Sequence, residues 1–559
     1  MEWKREKLKI GILINSYFIP SWQLKIIKEI KSSSYSEIAL VIINNTSAIY
    51  ASPDFSNITC KKRKIIYNVH LKLDELILGR NTDYSRILDS TTLLKDVASI
   101  IVTPIEHGFT DQLNKKDILE IKAVNLDIIL KFGFKALSGD ILQASKYGIW
   151  SYEPDKDVEL LGYHEVVDKL QTTNSILQIL EDGSNGGKII HYSQMLTNYI
   201  SISKNRNACY WRISTVIPHI IEGLYKSGDA YLQRLENKYK TDINSRKRTI
   251  SKPTSSFKAL KNIFKHFSKV SKRIHQKIFF NDHWDVFYKI DSRRLLPALE
   301  DFKLLPAPSD RFWADPFVVS TESKHYVFVE ELLYKTNKGH ISVVELDLNG
   351  NFLSSEKILE KEYHLSYPFL FKCEDTYYMI PETGANKTIE LYRCTGFPHK
   401  WEFVMNLMEN VCTADVTLFY YNNKWWLFCC MDKTGRDVGM LDELHLFFSE
   451  DLFTQNWQSH PYNPINTNTR NARPAGRVFI KDDKIYRPSQ DCSGIYGRAI
   501  NLNQVSKLNE TEYEERVIAR LAPDEGKDII GMHTFNSNDK ITVIDGFRYR
   551  KRKLLKLLN

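Results

Sequence analysis

Asp315-Pro316-Phe317-Val318-Val319, followed after a polar turn by Tyr326-Val327-Phe328-Val329-Glu330-Glu331, is the stretch that decides the fold, because its pattern recurs along the rest of the chain. It returns as Tyr367-Pro368-Phe369-Leu370-Phe371 with Tyr377-Tyr378-Met379-Ile380-Pro381-Glu382, and as Asp415-Val416-Thr417-Leu418-Phe419 with Trp425-Trp426-Leu427-Phe428. Two further returns are Pro474-Ala475-Gly476-Arg477-Val478-Phe479 with Lys484-Ile485-Tyr486-Arg487-Pro488, and Met532-His533-Thr534-Phe535 with Ile541-Thr542-Val543-Ile544-Asp545-Gly546. Each unit is a short apolar strand, a turn such as Asn422-Asn423 or Asp482-Asp483, and an aromatic or β-branched second strand. A period of roughly 50 to 60 residues is that of four strands to a blade, so the pattern predicts an all-β five-bladed propeller. The first strand of each blade then lines a central funnel. Asp315, His364, Asp415, Arg473, Arg477 and His533, at the starts of those strands, are expected to converge at one mouth. The alternative for each is a strand-end cap or an interblade hydrogen-bond partner. Charge at the same place in separate turns favours convergence.

Outward from the propeller, the N-terminal part alternates strands and helices. Lys9–Asn15 and Glu37–Ile43 read as buried parallel strands, with further strands at 99–102 and 126–130. Residues 21–30 read as a helix with Ser21 as its N-cap. Such alternation predicts an α/β doubly wound sheet with its ligand site at the carboxyl ends of the strands, near Lys131-Phe132-Gly133-Phe134 and the stretch 148–155. The domains expected are 1–225, α/β; 226–283, a basic amphipathic linker; and 284–550, the propeller.

At 559 residues the chain is too long for one core, and 43% hydrophobic content is ample for folded domains. Its eight cysteines are scattered without metal-type spacing, and Met1–Lys7 runs directly into a strand. This implies a reducing compartment, no secretion signal and no metal, hence a cytoplasmic protein. The net charge of +9 is concentrated. Between Lys238 and Lys277 thirteen basic residues face one acid, Asp242. Within that interval Phe257, Leu260, Ile263, Phe264, Phe267, Val270, Ile274 and Ile278 recur at helical spacing, with lysines on the other side. A helix of this kind over 257–278 fits an anionic membrane surface at the inner face of a membrane, and the basic, apolar tail from Arg548 fits a second weak contact. The alternative is a helix that buries its apolar face between domains. No recognition motif for nucleic acid accompanies the basic run.

Two resemblances add to this reading. The runs 127–133, 137–142 and 147–151, with Leu180–Ile190, resemble the folate-dependent formyltransferase fold of methionyl-tRNA and sugar N-formyltransferases. The resemblance implies 10-formyltetrahydrofolate as cofactor and an Asn-x-His pair with a later Asp as the formyl-transfer residues. This chain has Ser151, Glu153 and Asn185 at those positions, so the fold is implied while the usual route of formyl transfer is not. Glu153 remains a candidate general base if burial raises its pKa.

In the propeller, Arg311–Phe317 looks like the first-blade signature of the arabinanase and levansucrase superfamily, with Asp315 and Asp415 at the positions of its base and its pKa-tuning acid. Its fourth-blade acid is missing from Ala472–Arg477, and two-carboxylate hydrolysis needs both members, which argues against a glycoside hydrolase. His364–Pro368, Ile380–Thr383, Ala472–Arg477 and Tyr486–Cys492 resemble the N-terminal propeller of plant glucosamine inositolphosphorylceramide transferases. That resemblance implies a transferase-type protein of surface polysaccharide or glycolipid assembly, acting on or binding a nucleotide- or lipid-linked sugar. A non-catalytic glycan-binding scaffold and a sugar N-formyltransferase are the alternatives. The expected site is catalytic Asp315, Asp415 and Glu153, with Glu330, His364, Glu382, Arg473, Arg477, Arg487, Asp491 and His533 binding substrate. Arginine suits a phosphorylated or acidic saccharide because it grips phosphate bidentately. Trp313, Tyr367 and Trp425 are candidates for stacking on sugar faces.

Overall fold

A computed structural model describes residues 6–45, 58–80, 82–107, 110–154, 162–182, 187–244, 256–290, 294–433, 442–524 and 528–552. They form two compact units, one of Met1–Ser193 with Thr197–Val270, the other of Gln194–Leu196 with Ser271–Asn559.

The first unit is built on a seven-stranded sheet in the order Lys188–Leu196, Thr172–Ile179, Ile149–Pro154, Ile128–Lys131, Leu8–Ile14, Ser36–Asn44, Ala98–Val102. The last five run parallel, and Thr172–Ile179 runs antiparallel to its neighbour, so the sheet is mixed. Continuous apolar runs make the central strands Leu8–Ile14 and Ile128–Lys131 because both faces are covered. Ile12, Leu13, Val41, Ile42 and Ile129 are fully buried. From the central strand Leu8–Ile14 the chain first winds to one side and then crosses to Ile128–Lys131 on the other, which creates a switch point. There the loop after Lys131 folds back, with the Phe132 and Gly133 amides donating to Leu13 O (2.9 and 2.8 Å). A side chain at Gly133 would put its Cβ 2.6 Å from Asn15 Oδ1, so only glycine permits that approach. The helix Ser21–Ser32 lies where the periodicity places it, but Ser21 is not its cap. Pro20 holds that position, and the Ser21 hydroxyl donates to Tyr84 O at 3.0 Å.

Much of the stretch expected to be a linker is helical, over Asp229–Asn244 and Ser256–Phe279. Among the described residues no helix is long and apolar enough to cross a membrane.

The second unit is a five-bladed β-propeller. Four consecutive sheets begin at Arg311–Ser320, Ser366–Cys373, Cys412–Tyr421 and Phe479–Lys481, each with four strands added outward in chain order. The fifth sheet closes the ring. Its inner strands Phe535–Ser537 and Ile541–Lys551 come from the chain's end, and its outer strands Phe280–Ile290 and Lys303–Leu305 come from the propeller's beginning. That closure is an unbroken antiparallel register from Phe280↔Lys551 to Ile290↔Ile541.

The inner strands of blades 1, 2 and 3 each break register at one place, between Ala314 and Phe317, Ser366 and Phe369, and Ala414 and Thr417. At each break one residue takes left-handed backbone, Asp315 (φ 49°), Tyr367 (φ 42°) and Asp415 (φ 55°). Left-handed backbone costs about 1–2 kcal/mol at a non-glycine residue. In blade 4 the matching residue is Gly476 (φ 140°), where a Cβ would lie 2.0 Å from Phe535 O. These bulges turn the inner-strand side chains and amides toward the funnel.

Candidate functional site in the propeller funnel

The bulged amides are held by carboxylates on neighbouring strands. Asp545, fully buried in blade 5, accepts from the amides of His533 and Thr534 on Oδ1 (both 2.9 Å) and from Asp315 N on Oδ2 (3.1 Å). Asp315 in blade 1 accepts from Tyr367 N (3.2 Å) and from the Thr534 hydroxyl (2.7 Å). Glu382 in blade 2 accepts from Asp415 N (3.1 Å). Asp415 in blade 3 is paired with the Arg473 guanidinium and accepts from Gln490 Nε2 (2.9 Å). Acids from successive blades are thereby linked into one belt.

The belt's electrostatics follow from burial. Asp315 is pushed up to about 7, first by loss of water and then by the neighbouring Glu330, Asp545 and Asp415, while His533 acts against the shift. Glu382 is pushed up to about 8 by burial and by Asp415, with Arg473 opposing. Its side chain keeps 22% of its surface open, so part of that burial penalty is relieved by solvent in the funnel. His533 moves up to about 9 because Asp545 (Nδ1 to Oδ2, 2.6 Å) and Asp315 (Nε2 to Oδ1, 3.7 Å) outweigh its burial. Trp284 stacks on the imidazole at 3.8 Å and 12°. At His364 burial opposes the charged ring, but its hydrogen bond to Glu330 (Nε2 to Oε1, 3.2 Å) and the charge of that acid prevail and raise its pKa. The Gly339 amide donates to His364 Nδ1 (2.9 Å) and would lose its acceptor on protonation, which limits the rise.

Most of this belt is sealed, and its open part is small. The side chains of His364 (39%), Glu382 (22%) and Arg473 (15%) retain exposure, and Tyr496 is 43% exposed with the Arg473 guanidinium 4.9 Å from its ring centre. A carboxyl, an arginine, an imidazole and an aromatic face suit the hydroxyls and C–H face of a sugar. Asp315, His533 and Asp545 each offer one ligand atom within 4.8 Å of one another, a set that metal chemistry accepts. Internal donors already occupy both carboxylates of that set.

The structure thus brings together Asp315, Asp415, Glu382, Arg473 and His533, with Glu330 and His364 alongside. It does not bring in the other arginines. Arg487, expected to bind substrate, is 1% exposed and its guanidinium is spent inside blade 4 on Glu515 (2.8 and 2.7 Å) and the carbonyls of Asn471 and Ala472. Asp491 is fully buried against Arg520 and Ser493 N. Arg477 lies further along the inner strands, donating to Val318 O (2.9 Å) and Leu370 O (3.0 Å), and burial lowers its pKa to about 10. It ties blades 1, 2 and 4 together and has no free fork for phosphate. Trp313 (1% exposed, bonded to Glu331) and Tyr367 (fully buried, bonded to Thr417) are packing residues, and Trp425 packs edge-on to Phe371.

Sequence reading missed Tyr496, Gln490, Trp284 and Asp545. Asp545 was within reach. Glu330 and Glu382 pair with Ala314 and Ser366, the residues just before the bulges, and Asp545 ends the same second-strand run in the last repeat.

In the α/β unit, Ser151 is 1% exposed, while the side chains of Glu153 and Asn185 lie outside the described residues. A serine hydroxyl sealed in the sheet cannot reach a formyl group. The residue described there does not fit 10-formyltetrahydrofolate. At the switch point Trp22 packs on Phe132, Tyr152 and Tyr210, and Tyr84 stacks on Tyr210 at 5.0 Å.

Residues 304–540 match the family described as glucosamine inositolphosphorylceramide transferase 1, N-terminal. The rice protein (Oryza sativa subsp. japonica) glucosamine inositolphosphorylceramide transferase 1 is 36% identical over 219 residues, 39% of this chain and 29% of its own length. Its Arabidopsis thaliana counterpart is 30% identical over 207 residues, 36% of this chain and 27% of its own. The chain therefore spans less than a third of the curated relatives it matches. Among solved structures, a family 117 glycoside hydrolase of Zobellia galactanivorans aligns at a TM-score of 0.32 and 10% identity, covering 49% of this chain and 91% of that one.

Proposed function

We propose that this protein works in glycolipid or surface-polysaccharide assembly, with the propeller funnel holding the sugar of a nucleotide- or lipid-linked substrate. The observation that carries the reading is the open set Glu382, Arg473, Tyr496 and His364, drawn from different blades onto a belt of buried acids. The name of the plant relatives, whose matched segment is this same propeller, supports the glycolipid setting. If the funnel also catalyses transfer, Glu382 is the acid best placed to do so, since it is partly open and carries its proton near neutral pH. Asp315, at 5% exposure, acts through its neighbours.

Saccharide binding to the full chain tests this. Saturation-transfer NMR with glucosamine, N-acetylglucosamine and myo-inositol 1-phosphate should show at least one ligand, with binding lost in Tyr496→Ala and Arg473→Met. Binding untouched by either substitution would place the sugar elsewhere.

A second reading, a glycan-binding scaffold without catalysis, is favoured by the number of belt acids already committed to internal donors. It predicts that Glu382→Gln leaves formation of the glycan product intact. The α/β unit belongs in this proposal as a formyltransferase-like domain that has lost the usual donor chemistry. Saturating 10-formyltetrahydrofolate should then leave its melting temperature unchanged, and a clear rise would restore N-formylation.

A further inference from the structure

The helix Ser256–Phe279 contains no Asp or Glu and has lysine or arginine at seven positions. In a soluble domain the apolar stripe of such a helix faces the protein and the polar stripe faces water. Here polar residues take much of the inward side, beside the buried Val270. Asn262 (6% exposed) and His266 (0%) point into the α/β unit. His266 is held by two ring contacts, Nε2 to Ile200 O and Nδ1 to His70 Nε2, both 2.9 Å. His70 in turn contacts the Tyr163 hydroxyl (3.3 Å). Lys269 Nζ donates to the Val166 and Val167 carbonyls (3.1 and 2.8 Å).

On the outer side Phe264 is 82% exposed and Leu260 56%, and further along the helix Ile274 and Ile278 are 54% and 53% exposed. At 100° per residue these four fall within a stripe about 80° wide. Exposed Lys261, Lys265 and Lys272 run along one flank of it. Four large apolar side chains facing water on one stripe call for an apolar partner.

We propose that this face docks on an anionic lipid bilayer, with Leu260, Phe264, Ile274 and Ile278 below the headgroups and the flanking lysines among the phosphates. The charge selects the occupant. A second copy would set one acid-free, seven-fold basic helix against another, whereas an anionic bilayer supplies both the apolar layer and the countercharge. Asn262, His266 and Val270 hold the first part of the helix to the α/β unit while Leu260, Phe264, Ile274 and Ile278 stay exposed.

The test uses the full chain and sucrose-loaded vesicles of phosphatidylcholine, alone or with about 30% phosphatidylserine. The protein should sediment with the anionic vesicles, less so as salt rises, and remain in solution with the neutral ones. Phe264→Asp with Ile274→Asp should weaken binding by about tenfold or more, because both side chains leave the apolar layer. Lys261→Glu with Lys265→Glu should weaken it as well. Phe264→Cys carrying an environment-sensitive fluorophore gives a reading independent of those folds, and its emission should shift to the blue on anionic vesicles. The proposal is overturned by absence of sedimentation, by binding that survives Phe264→Asp with Ile274→Asp, or by a dimer that Phe264→Asp dissolves.

Discussion

The α/β unit and the propeller both bury polar side chains, and they do so in different ways. In the α/β unit several such groups close on one another in neutral pairs, Thr173 with Thr197 (2.9 Å), Ser175 with Ser193 (2.7 Å) and His70 with His266. Its buried Asp74 serves one helix end, 128 residues on in the sequence. It accepts from Ile202 N and Ser203 N, donors at the start of the helix Ile202–Ser227. In the propeller the groups of the belt are charged, and several of their partners come from other blades, as Asp315 N does for Asp545 and Arg473 does for Asp415. A ring lets this happen because every inner strand has neighbours on both sides, so a carboxylate can be met by donors from two blades. The residues left partly open on that charged belt are the ones suited to a ligand.

The largest expected effect falls on the belt's most heavily bonded member. Asp545→Ala leaves three amides and His533 without their acceptor, and should cost the propeller about 3–5 kcal/mol, read from hydrogen exchange of the strand Ile541–Lys551. Asp74→Ala in the other unit should cost about 1–2 kcal/mol, as loss of a helix cap does, read from exchange at the start of Ile202–Ser227. An equal loss at both positions would erase the contrast between pairing to one helix end and pairing around the ring.

Acidity should separate the units next, and the signs are opposite. Asp315, Glu382 and His533 all have folded-state values above their ordinary ones, so folding takes up protons. Their contribution is complete below about pH 4 and declines as pH rises through about 7, 8 and 9. His70 is lowered to about 4 by burial and by His266, and burial lowers His266 too. The contribution of His70 is complete above about pH 6.5 and is lost as pH falls toward 4, and that of His266 is lost in the same direction. Raising the pH from 6 to 9 should lower the propeller's melting temperature, while lowering it from 7 to 4 should weaken the α/β unit. Parallel pH profiles for the two units would contradict this assignment. The smallest effect on stability should come from Glu382→Gln, under about 1 kcal/mol, because the native carboxyl already carries its proton near neutral pH. Saccharide affinity should nonetheless fall in that variant.

The five blades were legible because an alternating apolar strand pair followed by an Asn or Asp turn needs only local sequence to be recognised. The residues of the mouth were legible as far as the repeat position carries them, which is why Asp315, Asp415, Glu382, Arg473 and His533 were found together. Direction within a strand was not. Arg487 and Asp491 look from the sequence like ligand contacts, yet strand alternation and Glu515, a partner two strands further out, turn Arg487 inward. Tyr496 escaped notice because it lies in a connection outside the repeat. The basic helix was legible as amphipathic, but which side faces its own unit depends on His70 and Ile200, distant positions that no periodicity announces.

The central claim is that sugar recognition belongs to the funnel and not to the switch point of the α/β unit. Photo-crosslinking of the full chain with a diazirine derivative of N-acetylglucosamine, followed by peptide mass spectrometry, locates the ligand directly. The account expects label on funnel peptides containing Tyr496, His364 or Glu382, with competition by the unmodified sugar. Label concentrated on 128–153 or 205–212 of the α/β unit, or spread over the outer strands of the blades, would contradict it.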